Sequence, residues 1–116
     1  EVHETPPSIS RNSNNQIRKG MLISNEPGYY KEDGFGIRIE NLMIVDDYKT
    51  VDGINYLKFE TISLCPFENT LIINNLLTKV EKKWINNYYS KVRKKISPHL
   101  TSSEKNWLYK NTEKIE

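Results

Sequence analysis

Apolar and polar positions along the chain change period part way through, and the change divides it into a strand-forming half and a helix-forming half. Residues 8–16 are polar, rich in serine and asparagine, and follow Pro6 and Pro7, which predicts an exposed loop. A basic step at Arg18, Lys19 and Gly20 then leads into Met21, Leu22 and Ile23, a predicted strand. Residues 25–36 carry the signals of a chain reversal: Pro27-Gly28, Asp33-Gly34 and Gly36. From 36 to 46 a two-residue period puts Arg38, Glu40, Leu42 and Ile44 on one face and Ile37, Ile39, Met43 and Val45 on the other. Apolar residues on both faces predict a strand buried on both sides. Residues 46–53 read as a polar turn, and 56–66 as a less regular strand ended by Pro66.

Beyond Leu71, Ile72 and Ile73 the period lengthens. Thr78 and Glu81 have capping-box spacing, which predicts a helix start. Val80, Trp84, Tyr88 and Val92, with Ile85, Tyr89 and Ile96 beside them, form an apolar stripe, and Ser97-Pro98 ends the helix. Thr101 and Glu104 repeat the spacing and predict a shorter helix through Trp107 and Leu108 to about Asn111. Antiparallel strands followed by two helices make the expected fold class α+β.

Composition narrows the setting. A chain of 116 residues with 36% apolar and 28% charged residues fills at most one modest domain. Seventeen basic against fifteen acidic residues, a net charge of +2, point to neither a nucleic-acid nor an anionic-membrane partner. The single cysteine, Cys65, excludes an internal disulfide, and no hydrophobic run is long enough to span a bilayer, so the default setting is a reducing, cytoplasmic one.

The candidate chemistry lies in residues 24–45, which place Glu26 and Glu40 at apolar runs on either side of a glycine-rich bend. If the strands flanking the bend pair antiparallel, both carboxylates project into one space. A buried carboxylate needs a partner. Three readings answer that need: ion pairs with Arg38, Lys19 or Lys31; a carboxylate-rich site for a hard metal ion; or an acid/base pair of glycosidase type. Spacing alone does not choose among them. His99 reads as a surface or helix-capping residue, Cys65 as a small core hydrophobe, and the basic cluster around Arg93 as the solvated side of an amphipathic helix.

The run V-H-E-T-P-P-S-I-S at 2–10, then N-E-P-G-Y-Y at 25–30 and G-I-R-I-E-N at 36–41, resembles the last third of a pita-bread metallopeptidase. F-E-T-I-S-L-C-P-F at 59–67, W-I-N-N-Y-Y-S-K-V-R at 84–93 and the terminal Trp107-Leu108 are similar to the C-terminal extension of cytosolic-type aminopeptidase P. The resemblance implies the C-terminal part of a pita-bread fold, with residues 1–58 in the catalytic domain and 59–116 as the extension. It implies metal-dependent hydrolysis of an N-terminal Xaa-Pro bond by a metal-bridging hydroxide. Two divalent ions, manganese with zinc or cobalt as alternatives, would be held in part by Glu26 and by a bridging Glu40. His3 would contact substrate and stabilise the tetrahedral species, Arg38 would orient the carboxylates, and Tyr30 would lie close to the centre. The implied partners are peptides with proline in second place, the upstream part of the same catalytic domain, and a second copy in a homodimer.

Two residues depart from the pattern: Thr5 stands where glycine is common, and Tyr89 where many relatives have histidine. The family's two aspartate ligands and its two active-site histidines would lie upstream of residue 1, so the expectation is of an inactive segment of a longer chain with exposed strand edges. A related hydrolase such as prolidase and a non-catalytic pita-bread binding module are the alternatives.

Overall fold

The computed structural model describes Ile9 and residues 12–116, so the expectation placed on His3 lies outside the described residues. The chain forms two compact units, residues 1–63 and 64–116. Among its described residues the first holds five antiparallel strands: β1 (Leu22–Asn25), β2 (Gly28–Tyr30), β3 (Gly36–Arg38), β4 (Asn41–Val51) and β5 (Ile54–Thr61). β4 is central in a sheet of order β1-β4-β5, and β2 pairs with β3.

The long strand expected over 36–46 is two strands with a gap at Ile39 and Glu40. Its partner is interrupted opposite, at Glu26 and Pro27, where proline has no N–H to give to a ladder. Burial on both faces is also not what the structure shows. Asn41, Met43 and Val45 are buried, and Ile23 across from Met43 joins them, while Leu22 and Leu42 on the other face are exposed. In these described residues the alternating pattern covers one face only.

The expected turn over 46–53 is mostly strand. β4 runs on to Val51, and the reversal is confined to Asp52 and Gly53, with Val51 opposite Ile54. Both turn residues have positive φ, 49° and 77°. That is the type I′ hairpin for which Asp-Gly is suited. Tyr48 is the extra residue where the register shifts between Asp47 and Lys49, and the resulting bulge bends the hairpin. β5 ends at Thr61, well short of Pro66, and none of its residues is buried. β1 and β5 are edge strands among the described residues.

In the second unit the helical expectations meet the structure closely. α1 (Lys79–Ile96) starts from a complete Thr78/Glu81 capping box, and α2 (Ser102–Lys110) from the equivalent Thr101/Glu104 box. Ile85, Tyr88, Tyr89, Val92, Leu108 and Ile115 form the core. Phe67 packs on Tyr88 with ring centroids 5.1 Å apart, and Trp84 stacks on the same Tyr88 ring at 5.5 Å, an aromatic run that holds the extended segment against α1. The Tyr88 hydroxyl donates to the Cys65 carbonyl at 2.9 Å and accepts from its N–H at 3.2 Å. Cys65 itself is exposed, so it is not the core hydrophobe expected; it lies in an extended segment whose backbone, rather than side chain, is engaged. Val80, in the first turn of α1, is exposed too, because the apolar stripe is covered only from Trp84 onward and Trp84 itself is half exposed.

Arg93 is not part of a solvated basic face. Its guanidinium donates to the Thr112 hydroxyl at 2.6 Å, the Thr112 carbonyl at 2.6 Å and the Tyr109 carbonyl at 3.0 Å, and stacks over the Tyr109 ring. The Tyr109 carbonyl lies in the last turn of α2 and that of Thr112 just beyond it, at the helix end where the dipole favours a cation. Asn86 likewise exchanges two hydrogen bonds of 2.9 Å with the backbone of Ile115, pinning the C-terminal segment to α1.

Two predictions follow from these contacts. Arg93→Met keeps the apolar stem but removes the donors, and should lower unfolding stability in denaturant by about 2 kcal/mol, the scale of hydrogen bonds from a charged group. Arg93→Lys should recover only part of the loss, since one ammonium cannot span the three acceptors. The capping carboxylates give a pH dependence. Hydrogen bonds from the Thr78 backbone and hydroxyl hold Glu81 below the ordinary glutamate range, and the Thr101 hydroxyl and backbone do the same for Glu104. A depressed native value means the contribution is complete above the unfolded value and is lost as pH falls through the native one. Amide exchange in the first turns of α1 and α2 should therefore accelerate on acidification below the ordinary glutamate range, after correction for intrinsic rates. In a Glu81→Gln, Glu104→Gln protein that extra acid dependence should be absent.

Candidate metal centre

The geometry of the site follows from register. β1 pairs with β4 with Asn25 opposite Asn41, and β2 with β3 with Gly28 opposite Arg38. The same register therefore holds on both sides of the gap and sets Glu26 opposite Glu40. One backbone bond crosses the gap, from the Ile39 N–H to the Pro27 carbonyl at 3.2 Å. Alternation then puts Ser24, Glu26, Arg38, Glu40 and Leu42 on one face.

Arg38 stands between the two acids. Its Nη1 is 3.7 Å from Glu26 Oε2 and its Nε is 3.9 Å from Glu40 Oε2. Lys19, a sequence candidate for Glu26, pairs instead with Asp47 and, at 3.6 Å, with Asp46. Both Arg38 contacts exceed hydrogen-bond length. The side chains are 44% exposed for Arg38 and 45% for Glu40, so such pairing adds little to stability. Burial is therefore not what demands a partner for Glu40 in this chain. The two acids and one guanidinium leave one net negative charge, which favours a further cation.

Glu26 is the less exposed acid, at 24%, and its other oxygen is engaged: the Ser24 hydroxyl donates to Oε1 at 2.8 Å. Sequence reasoning passed over Ser24, although a hydroxyl two residues before Glu26 on the same strand face was the available signal. Tyr30 leans back across the β2–β3 pair. A Cβ at Gly28 would stand 2.9 Å from the Tyr30 hydroxyl and from Arg38 Cγ, and one at Gly36 would stand 2.8 Å from Tyr30 Cδ1. Both glycines make room for the ring. Hydrogen bonding to Tyr30, and then the charges of Glu26 and Glu40, hold the Arg38 guanidinium still more firmly protonated than usual.

Carboxylate oxygens are donors for hard divalent ions, and two acids opposed across a strand pair with an arginine fixing them fit part of such a ligand set. No group of three or more His, Cys, Asp or Glu side chains able to hold one ion is present among the described residues. Nor is any helix among them long and apolar enough to cross a membrane.

Comparison with known proteins supplies the remaining frame. The model of the C-terminal region of peptidase M24 matches residues 55–115, and that of metallopeptidase family M24 matches residues 1–47. A Coprinopsis cinerea protein named probable Xaa-Pro aminopeptidase P is 41% identical over 98% of this chain and 20% of its own length. Aminopeptidase P2 of Arabidopsis thaliana is 43% identical over 96% of this chain and 16% of its own. The chain thus spans about a fifth of the length of the curated relatives it matches. Among solved structures, an X-prolyl aminopeptidase from Caenorhabditis elegans, described as a cytosolic enzyme with a di-nuclear active site, superposes with a TM-score of 0.83 at 29% identity, over 98% of this chain and 20% of that one. The α+β architecture, antiparallel strands followed by two helices, is that of the C-terminal part of the pita-bread fold. Matched along nearly its whole length, this chain belongs to metallopeptidase family M24 and carries that family's C-terminal region.

Proposed function

We propose that this chain is the C-terminal part of a metal-dependent Xaa-Pro aminopeptidase, with residues 1–58 completing its catalytic domain and 59–116 forming the extension. The observation that carries the proposal is the placement of Glu26 opposite Glu40 with Arg38 between them, in a chain that superposes on an X-prolyl aminopeptidase. Glu26 and Glu40 would each give carboxylate oxygens to a pair of divalent ions, Glu40 serving both, with the remaining ligands coming from elsewhere in the whole protein. Manganese is the preferred metal, ahead of zinc or cobalt, since the donors in this chain are all oxygen. The chemistry those ions supply when bound is Lewis acidity towards the scissile carbonyl and an acidified water.

The chain's own residues do the rest by position. Arg38, reaching both carboxylates from one side, would orient them. Tyr30, largely exposed beside Arg38, would line the substrate's path. His3 would donate a hydrogen bond to the oxygen that gains negative charge as the carbonyl is attacked. The substrates would be peptides with proline in second place, and the whole enzyme a cytoplasmic homodimer.

The test is hydrolysis of an Arg-Pro-Pro type peptide by the whole polypeptide that carries this chain, supplied with manganese. Activity should be present, and Glu40→Gln should abolish it and reduce bound metal below two ions per chain. Arg38→Met should lower metal affinity or kcat/KM by about 10- to 100-fold, the usual cost of removing a group that orients a metal ligand. A folded, metal-loaded parent without activity would favour a non-catalytic binding module, and activity confined to dipeptides a prolidase.

A further inference from the structure

We infer that Ser24 is a positioning residue for the carboxylate of Glu26, fixing it before any ion binds; the inference rests on the metal-binding reading of Glu26. Ser24 and Glu26 sit two residues apart at the end of β1 and share a face. The Ser24 hydroxyl donates to Oε1 at 2.8 Å, while Arg38 lies 3.7 Å from Oε2. The two oxygens therefore have different partners, Ser24 on Oε1 and Arg38 on Oε2.

The two contacts differ in kind. At 3.7 Å the guanidinium constrains Oε2 only loosely, whereas a 2.8 Å hydrogen bond sets a closer distance and a preferred direction of approach to Oε1. An ionised carboxylate has about four acceptor sites, and the bond from Ser24 uses one of them. A glutamate at a strand end also has considerable rotamer freedom to lose, and a hydroxyl on its own strand removes that freedom during folding rather than during ion binding. The geometry requires a hydroxyl rather than serine as such. Threonine offers the same oxygen and suits a strand; alanine offers none.

The experiment is manganese binding by the whole polypeptide, measured by competition with a chelator for the parent and for Ser24→Ala, Ser24→Thr and Glu26→Gln. Ser24→Ala should weaken binding by about 10- to 100-fold and Ser24→Thr should restore most of it. The metal-free melting temperature should be the same for all three proteins at position 24. If Glu26→Gln weakens binding while Ser24→Ala changes it less than twofold, the inference fails and the metal-binding reading stands. If Glu26→Gln leaves binding unchanged, that reading fails and the inference with it. A Ser24→Thr protein as weak as Ser24→Ala, or a metal-free melting temperature that falls in step with affinity, would assign Ser24 to packing and overturn the inference.

Discussion

Everything proposed for this chain depends on an antiparallel register kept across a break in hydrogen bonding. Proline at position 27 cannot donate to a ladder, and the opposite strand is interrupted at Ile39 and Glu40, yet Asn25 still faces Asn41 and Gly28 still faces Arg38. A slip of one residue would send Glu26 or Glu40 to the other face. With the register held, the two carboxylates stand opposed across the break and within reach of one guanidinium.

That guanidinium is a weak stabiliser and a good organiser. Its contacts are long and partly exposed, so the ion pairs add little to folding. Its value is geometric, since a single planar cation facing two acids limits where both can lie, and Tyr30 in turn limits Arg38. The glycines at 28 and 36 belong to the same device, because a side chain at either would collide with the ring that leans across them. The local cost is exposed apolar surface: Leu22 and Leu42 lie on the face that carries the acids.

The second unit is stabilised by other means. Two capping boxes start its helices, an aromatic run from Phe67 to Trp84 and Tyr88 covers α1, and Arg93 and Asn86 fasten the chain that follows α2. Nothing in it offers a set of ligating side chains, which agrees with its match to the C-terminal region of the family.

Local rules made much of this legible in the sequence. A hydroxyl three residues before a glutamate, ahead of an apolar stripe, is a local signal for a helix start, so both helix starts could be read, and the alternation around Glu40 put it on one face with Arg38. The resemblance of the E-P-G and I-R-I-E runs assigned the acids a role that spacing had left open among three. Other features were settled only by tertiary structure, because each depends on residues distant in sequence. The partner of Glu26 is Arg38 and not Lys19 because pairing across the bend brings Arg38 close, while Lys19 meets Asp46 and Asp47. Arg93 looked like one basic residue among several until α2 folded back and presented the carbonyls of Tyr109 and Thr112. The Asp52-Gly53 turn was a local signal, but its reach into a strand continuing to Val51 emerged only from pairing with β5. Burial of one face of β4 rather than both was equally beyond the sequence, since periodicity reports which residues share a face and not what covers it.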